Sequence, residues 1–250
     1  RAHSFNAAAA QYAANRPSYP PAVLDTVEEL TGRPLAGARV ADIGAGTGIA
    51  TALLRERGAD VLAVEPGAGM AAQFSRALPG VPVVRGDGNA LPLADASCDL
   101  LTYAQSWHWT DTGRSVPEAL RVLRPGGALA VWWNMNALDV PWIAAQNERI
   151  ARHCGVTPAA AERPDDNRAA RLAGLARPGL RFMRRELRWS RTVPVDTHLA
   201  NITSHSAFLV LGAESVRSFV DEERARLRAL FPAGSVEEVY RVDLLVAVRT

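Results

Sequence analysis

A doubly wound α/β sheet is the fold class this chain predicts, and three observations predict it. A strand-like run with β-branched Val40 and Ile43 passes directly into the glycine turn Gly44-Ala45-Gly46-Thr47-Gly48 and then into helix-forming sequence. Through residues 37–134, short apolar runs alternate with amphipathic stretches, the pattern of repeated βαβ units. Several of those runs end in an acid or a glycine-rich segment, which places polar groups along one edge of the sheet, where open α/β sheets bind ligands.

The elements follow in order. Residues 5–31 read as an N-terminal helical segment, broken into two pieces by Arg16-Pro17 and Pro20-Pro21. The first strand ends at the glycine turn, and Thr47 can open the helix expected over 47–57. Asp60 to Glu65 is a second strand ending in an acid, followed by a helix over 67–77. Val81 to Asp87 forms a third, also ending in an acid, and Cys98 to Ala104 a fourth. After a helix over 113–123 and the turn Arg124 to Gly127, a fifth strand runs from Gly127 to Trp133. A helix is expected from Pro141 to Cys154, and the alanine, proline and charge of Pro158 to Arg177 read as a surface excursion. An arginine-rich strand occupies 177–191, helices cover 196–203 and 214–230, and the alternating tail from Val239 to Arg249 is a final strand. No internal repeat is visible.

Composition narrows the chemistry. A chain of 250 residues, 48% of them hydrophobic, can bury the core of one α/β domain. All 28 basic residues are arginine, which excludes reactions that need a lysine amine, including Schiff-base aldolases, pyridoxal phosphate enzymes and Walker-type phosphate loops. Cys98 and Cys154 stand in no metal-ligand spacing, so neither a zinc site nor a disulfide framework is expected, and no metal. No apolar run approaches the roughly 18 residues of a membrane span, and no signal-peptide pattern opens the chain, so a soluble cytoplasmic protein is expected, with no membrane partner. The net charge of +2 does not indicate nucleic acid. Alternation in the arginine-rich strand puts Met183, Leu187 and Trp189 on one face, with Arg185 intruding. Arg184, Glu186 and Arg188 lie on the other. A solvated basic face on a half-exposed strand is the reading preferred over an anionic-substrate or RNA contact.

The glycine spacing distinguishes two cofactor classes. A dinucleotide fingerprint is Gly-x-Gly-x-x-Gly with the pyrophosphate on the helix N-terminus, whereas this turn is Gly-x-Gly-x-Gly with Asp42 two residues before it. A carboxylate there repels pyrophosphate and attracts a cation. S-adenosylmethionine carries a sulfonium and an ammonium group and no phosphate, so the charge logic favours it. Glu65, at the second strand's end, suits ribose hydroxyls, a feature that NAD enzymes share. Asp87, at the third, suits an adenine amino group, and Met70 can lie against the adenine face.

At this point the chain resembles class I S-adenosylmethionine-dependent methyltransferases, of the small-molecule, type 11-like subgroup. The matching segments are YAANRPSYP (Tyr12 to Pro20), VADIGAGTG, VEPGAGM, GDGNALPLADASCDLL and LRPGGALAV, in family order across residues 12 to 134. Beyond Asn134 the resemblance fixes no residue. Asn89 stands where the family commonly has an acid, and Cys98 where it has an aromatic. The resemblance implies a seven-stranded Rossmann-like sheet with an N-terminal helical lid and helical insertions in the C-terminal half, its last strand antiparallel and inserted beside the sixth. It implies one domain, 1–250, with the lid over 1–36, a cofactor-binding half over 37–134, and substrate-covering helices with the last two strands over 135–250. It also implies that Asp42, Gly44, Ala45, Gly46, Glu65, Pro66, Met70, Asp87, Gly88, Ala104 and Gln105 meet the cofactor, with Tyr12 and Arg16 closing on its methionine carboxylate.

Methyl transfer from a sulfonium is an in-line displacement, and positioning alone can supply on the order of 7 to 11 kcal/mol of the barrier reduction. A carboxylate attacks unaided, whereas an alcohol, phenol or carbon acid benefits from a base. Just beyond the fourth strand, Gln105 to Trp109 offers His108 as a neutral base and Trp107 and Trp109 as pocket walls. Asn134 ends the fifth strand, and His205 follows the helix over 196–203; both are candidate substrate contacts. Trp132 and Trp133 are expected to pack against helices. Ser106 lacks the partners of a hydrolase triad. Carboxyl methyltransferases of related fold carry an aromatic-rich version of this loop, which favours methyl transfer to the oxygen of a carboxylate or hydroxyl on a small molecule. An NAD-dependent oxidoreductase and a non-catalytic S-adenosylmethionine-binding protein are the alternatives.

Overall fold

The structure, a computed structural model, describes residues 16–155, 175 and 179–250. Its centre is β1 (Arg39–Ile43), whose residues from Val40 onward are buried on both faces, as the strand of a parallel sheet covered on both sides must be. β2 (Asp60–Val64) and β4 (Cys98–Ala104) pair with β1 in parallel, and β3 (Val83–Val84) and β5 (Leu123–Asn136) extend the sheet outward in the same sense. β7 (Ser235–Arg249) inserts antiparallel between β5 and β6 (Leu180–Pro194), giving the order 3-2-1-4-5-7-6. This is the seven-stranded class I methyltransferase sheet that the sequence resemblance implies.

The helices are α1 (Ala22–Thr31), α2 (Ile49–Glu56), α3 (Ala68–Ala77), α4 (Thr112–Val122), α5 (Pro141–His153), α6 (Val195–Thr203), α7 (Ser206–Leu209) and α8 (Ala213–Leu230). One face of the sheet buries α1 through Val23, Leu24, Val27 and Leu30, with Leu54 of α2 and Phe74 of α3. The other buries Val116, Ala119 and Val122 of α4 against Leu101, Tyr103 and Leu129. Cys98 lies in this second core as a small filler. α6 and α8 share a smaller apolar cluster of their own, Val195, Leu199 and Leu227, so they sit on the sheet's margin and not within its core.

Several boundaries differ from the sequence expectation. The third strand shortens to two residues between Pro82 and Gly86, because proline gives no ladder N–H and glycine weakens a strand. The fifth and last strands are longer than the apolar pattern indicates, and the arginine-rich strand is shifted by three residues: β6 and β7 pair over fifteen positions, from Leu180 with Arg249 to Pro194 with Ser235. Residues 22–31 of the expected lid pack on a sheet face, while residues 1–15, Tyr12 among them, lie outside the described residues. The surface excursion over 158–177 also falls almost wholly outside them. The basic strand is as alternation predicts: Met183, Leu187 and Trp189 pack on the sheet core. Its arginines are largely paired: Arg184 with Asp243 and Arg188 with Asp139 on the outward side, and Arg191, on the side of Leu187 and Trp189, with Glu238. Among the described residues, no helix is long and apolar enough to cross a membrane, and no cluster of three or more His, Cys, Asp or Glu side chains suits a metal.

Candidate active site

The parallel strands bring the ends of β1 to β5 to one edge, and the site is built there. Gly44 adopts φ +68°, and a Cβ on it would lie 2.5 Å from the Cβ of Ser106. That close approach lets the Ser106 hydroxyl donate to the Ile43 carbonyl at 2.6 Å, tying the turn to the end of β4. Gly48 serves packing, since a Cβ there would meet Leu78 and Phe74, whereas Gly46 faces open space. The N–H groups of Gly46 and Gly67 donate to the two oxygens of Glu65 at 2.9 and 2.6 Å. Glu65 is thereby held at the tip of β2 in one orientation. Burial raises its pKa, against the lowering effect of those two N–H bonds and of Arg85.

A cavity of about 520 Å³ opens over this turn. Gly44, Gly46, Glu65, Pro66 and Met70 border it on one side, and Asp87, Gly88, Ala104 and Gln105 on the other. Asn89, which stands where the resembled family commonly has an acid, is part of the wall. Its backbone and side-chain N–H groups both donate to Asp87 at 3.0 Å, and its side-chain carbonyl receives the N–H of Asp111 at 2.7 Å. Asn89 therefore fixes the loop that carries Asp87, and the signal for it was the Asx pattern Asp-Gly-Asn after a strand.

Three sequence expectations are corrected. Asp42 does not reach the cavity: it is fully buried beneath the turn, its two oxygens receiving the hydroxyls of Thr51 at 2.6 Å and Thr102 at 2.8 Å. Desolvation raises its pKa to about 6, opposed by those two bonds. Ala45, between the two cavity glycines, packs instead on the sheet core. Trp107 is no pocket wall, being fully buried and edge-on to Tyr103 with ring centroids 4.7 Å apart. Trp109, by contrast, is 45% exposed and borders the cavity.

At the end of β4 the chain bends sharply. Gln105 takes φ +60°, a left-handed conformation that a non-glycine residue holds only where its surroundings impose it. Its backbone N–H donates to the Trp132 carbonyl and its side-chain amide to the Asn134 carbonyl at 3.1 Å. The bend launches the short 3₁₀ turn Trp107–Trp109 that carries His108. The Trp133 indole N–H donates to Nδ1 of His108 at 3.2 Å. An indole nitrogen can only donate, so Nδ1 presents its lone pair to Trp133 and the neutral ring carries its proton on Nε2. A similar bond engages His205, whose Nε2 lies 3.2 Å from an Arg16 guanidinium nitrogen. Desolvation of the ring and then the Arg16 charge lower the His205 pKa, although the residue keeps part of its surface open to solvent. The ring is therefore neutral, with its proton on Nδ1.

A second cavity, of about 130 Å³, adjoins the first, and Arg16, Gln105, Asn134 and His205 border both. These four form a neck between two compartments. Trp189 donates to Asn134 Oδ1 at 3.0 Å, which turns Nδ2 the other way; that buried N–H donor has no partner among the described residues. The smaller compartment is walled by Trp142, Ile143 and Phe208 and by polar side chains of α5, α6 and β7 that the sequence reading missed. Glu238 receives Arg191 at 2.6 Å and His198 Nδ1 at 2.6 Å, and His198 Nε2 meets Gln146 Oε1 at 2.9 Å. These contacts hold the Glu238 carboxyl near a pKa of about 2 in spite of its burial. The one signal for them was His198 and Asn201 on the stripe otherwise formed by Val195, Leu199 and Ile202.

The sheet order is that of the class I methyltransferases, and the glycine turn and the strand-end carboxylates lie at the edge where open α/β sheets bind ligands. The profile of the family described as "Methyltransferase domain" matches residues 41–131. An uncharacterised methyltransferase of Mycobacterium tuberculosis is 33% identical over 230 residues, covering 92% of this chain and 87% of that protein. A malonyl-[acyl-carrier protein] O-methyltransferase of Methylococcus capsulatus is 41% identical over 99 residues, 37% of this chain and 36% of that one. Among solved structures, a candidate type II methyltransferase from Anaeromyxobacter dehalogenans superposes with a TM-score of 0.63 at 25% identity, covering 94% of this chain and 96% of that one. The chain belongs to the S-adenosylmethionine-dependent methyltransferase family and is a methyltransferase.

Proposed function

We propose that the larger cavity holds S-adenosylmethionine and that the enzyme methylates a carboxylate oxygen of a small organic acid entering through the smaller one. The lining fits the cofactor. Glu65 and Asp87 place carboxylates toward hydroxyl and amino donors, Gly46 leaves backbone open to a ligand, and Arg16 is the one arginine on this wall among the described residues, at the end where an amino-acid carboxylate needs a cation. Two carboxylates on the rim oppose a pyrophosphate, which disfavours the NAD reading. When bound, S-adenosylmethionine supplies an electrophilic methyl group on a sulfonium.

The observation that carries the choice of acceptor is the character of the neck. Asn134 offers an N–H donor without a partner among the described residues, while both imidazole lone pairs that could take a proton, on His108 and His205, already accept hydrogen bonds. The neck therefore favours a group that arrives negatively charged and needs no deprotonation, which is a carboxylate. In this reading Asn134 and Gln105 orient the acid, Trp109 closes the solvent side, and His108 acts as a positioned donor and not as a base. The relative from Methylococcus capsulatus, named an O-methyltransferase, is compatible with oxygen as the acceptor atom.

The test is a panel of carboxylic acids, phenols and amines incubated with S-adenosylmethionine labelled in the methyl group. Carboxylic acids are expected to give a base-labile, methanol-releasing product, and Asn134→Ala to lower turnover about tenfold or more, as for loss of one hydrogen bond to a charged group. Base-stable label from phenols or amines alone contradicts the reading.

A further inference from the structure

We propose that the smaller compartment reads a second polar group on the acceptor: beyond its carboxylate the acid carries a hydroxyl or amide N–H, and the side-chain carbonyl of Asn201 receives it. This rests on the reading that the acceptor enters here, and it adds what the far wall recognises.

Asn201 lies on α6 and is 4% exposed, yet its Oδ1 has no hydrogen-bond partner among the described residues. The orientation of its amide is settled by its neighbours. Nδ2 donates to Glu238 Oε1 at 3.3 Å and to the Tyr240 hydroxyl at 3.2 Å. The reverse orientation would set a carbonyl against the Glu238 carboxylate, where there is no proton to share. Oδ1 therefore lies on the other side of the amide, in a residue that borders the cavity. A buried carbonyl without a partner is unfavourable until a water or a ligand completes it, and at a cavity wall a ligand's O–H or N–H can take the water's place.

The frame behind Asn201 is stiff and electrically closed. Glu238 is fixed by Arg191 and His198, His198 by Gln146, Gln146 by Glu223 at 3.2 Å, and Glu223 by Arg149. The negative charges in the wall are thus each matched by a cation, so an anionic acid is not repelled. What the wall leaves for a ligand to complete is a neutral acceptor, the buried Asn201 carbonyl. With the Asn134 N–H at the neck, the compartment's wall carries an unpartnered donor and an unpartnered acceptor at separate points, beside the apolar surface of Trp142 and Phe208. That pattern matches an acid bearing a hydroxyl or amide substituent. A site built to receive such a proton discriminates strongly against a ligand lacking it.

Matched pairs of small carboxylic acids, with and without the hydroxyl or amide, test this in two assays on the full chain: methylation, and calorimetric binding to protein saturated with S-adenosylhomocysteine. The wild type is expected to favour the substituted acid about tenfold or more, and Asn201→Ala and Asn201→Ser to reduce that preference to within about threefold. S-adenosylhomocysteine affinity should be unchanged in both variants, which also shows that they fold, since Asn201 does not border the larger cavity. Absence of preference in the wild type, or full preference in both variants, overturns the proposal. If hydroxyl-dependent binding is lost in the variants but no acid is methylated, the carboxylate reading fails and the role of Asn201 stands.

Discussion

Asp42 shows how much a single carboxylate's direction matters. Its position before the glycine turn is plain in the sequence, but a strand buried on both faces has no polar alternation to reveal which way each side chain points. It points into the molecule, where Thr51 and Thr102 hold it, so its charge bears on the turn from beneath and not on a ligand directly. Its pKa of about 6, against an ordinary 3.8, means that between those values the folded protein holds a proton the unfolded chain has released. The sign is therefore destabilising as pH rises: stability from this group is lost progressively from about pH 4 to about pH 6, by on the order of 3 kcal/mol in all. An amide in its place has no such proton to release, so in Asp42→Asn this part of the pH dependence should vanish, leaving a stability difference from the wild type that changes across the window and levels above it. Urea unfolding at a series of pH values checks this, and parallel profiles for the two proteins refute it. His108 teaches a similar lesson. Its place in the loop was legible, but its hydrogen-bonding role depends on Trp133, 25 residues away in sequence and adjacent only in the folded sheet.

At the scale of elements, the difference between β6 and α6 is instructive. β6 was legible because an edge strand with one wet face alternates, and Arg184 and Arg188 lie outward as the period requires, while Arg191 falls on the side of Trp189 and meets Glu238. An exposed pair such as Arg188 with Asp139, its side chains 50% and 57% exposed, gains little once solvent screening and side-chain entropy are counted. Arg188→Ala should cost less than about 1 kcal/mol by urea unfolding at moderate salt; a loss of several kcal/mol would show that the basic face has a structural task beyond solvation. α6 was legible as a helix, but its inward polar residues were not legible as a site. Their partners Gln146, Glu238 and Tyr240 come from α5 and β7, so the cluster exists only once those elements are folded over the sheet edge. Sequence motifs report sites that one strand-turn-helix unit builds alone, such as the Gly44 turn, and are silent on sites assembled from distant elements.

For the whole molecule, the sheet order divides the labour. The parallel half, β1 to β5, presents the glycine turn, Glu65 and Asp87 in a larger compartment whose residues lie close to local motifs. The antiparallel half, β6 and β7, supports the helices that enclose the smaller one. The central claim is that Glu65, locked by two backbone N–H groups at the tip of β2, anchors the cofactor in the larger compartment. Calorimetric titration of S-adenosylhomocysteine into the wild type and Glu65→Ala, with thermal unfolding to confirm that the variant folds, tests it most directly. The account predicts binding at one site per chain in the wild type and affinity lowered about tenfold or more in the folded variant, as for hydrogen bonds lost to a charged group. Equal affinity in the two proteins, or tighter binding of NAD than of S-adenosylhomocysteine by the wild type, would contradict it.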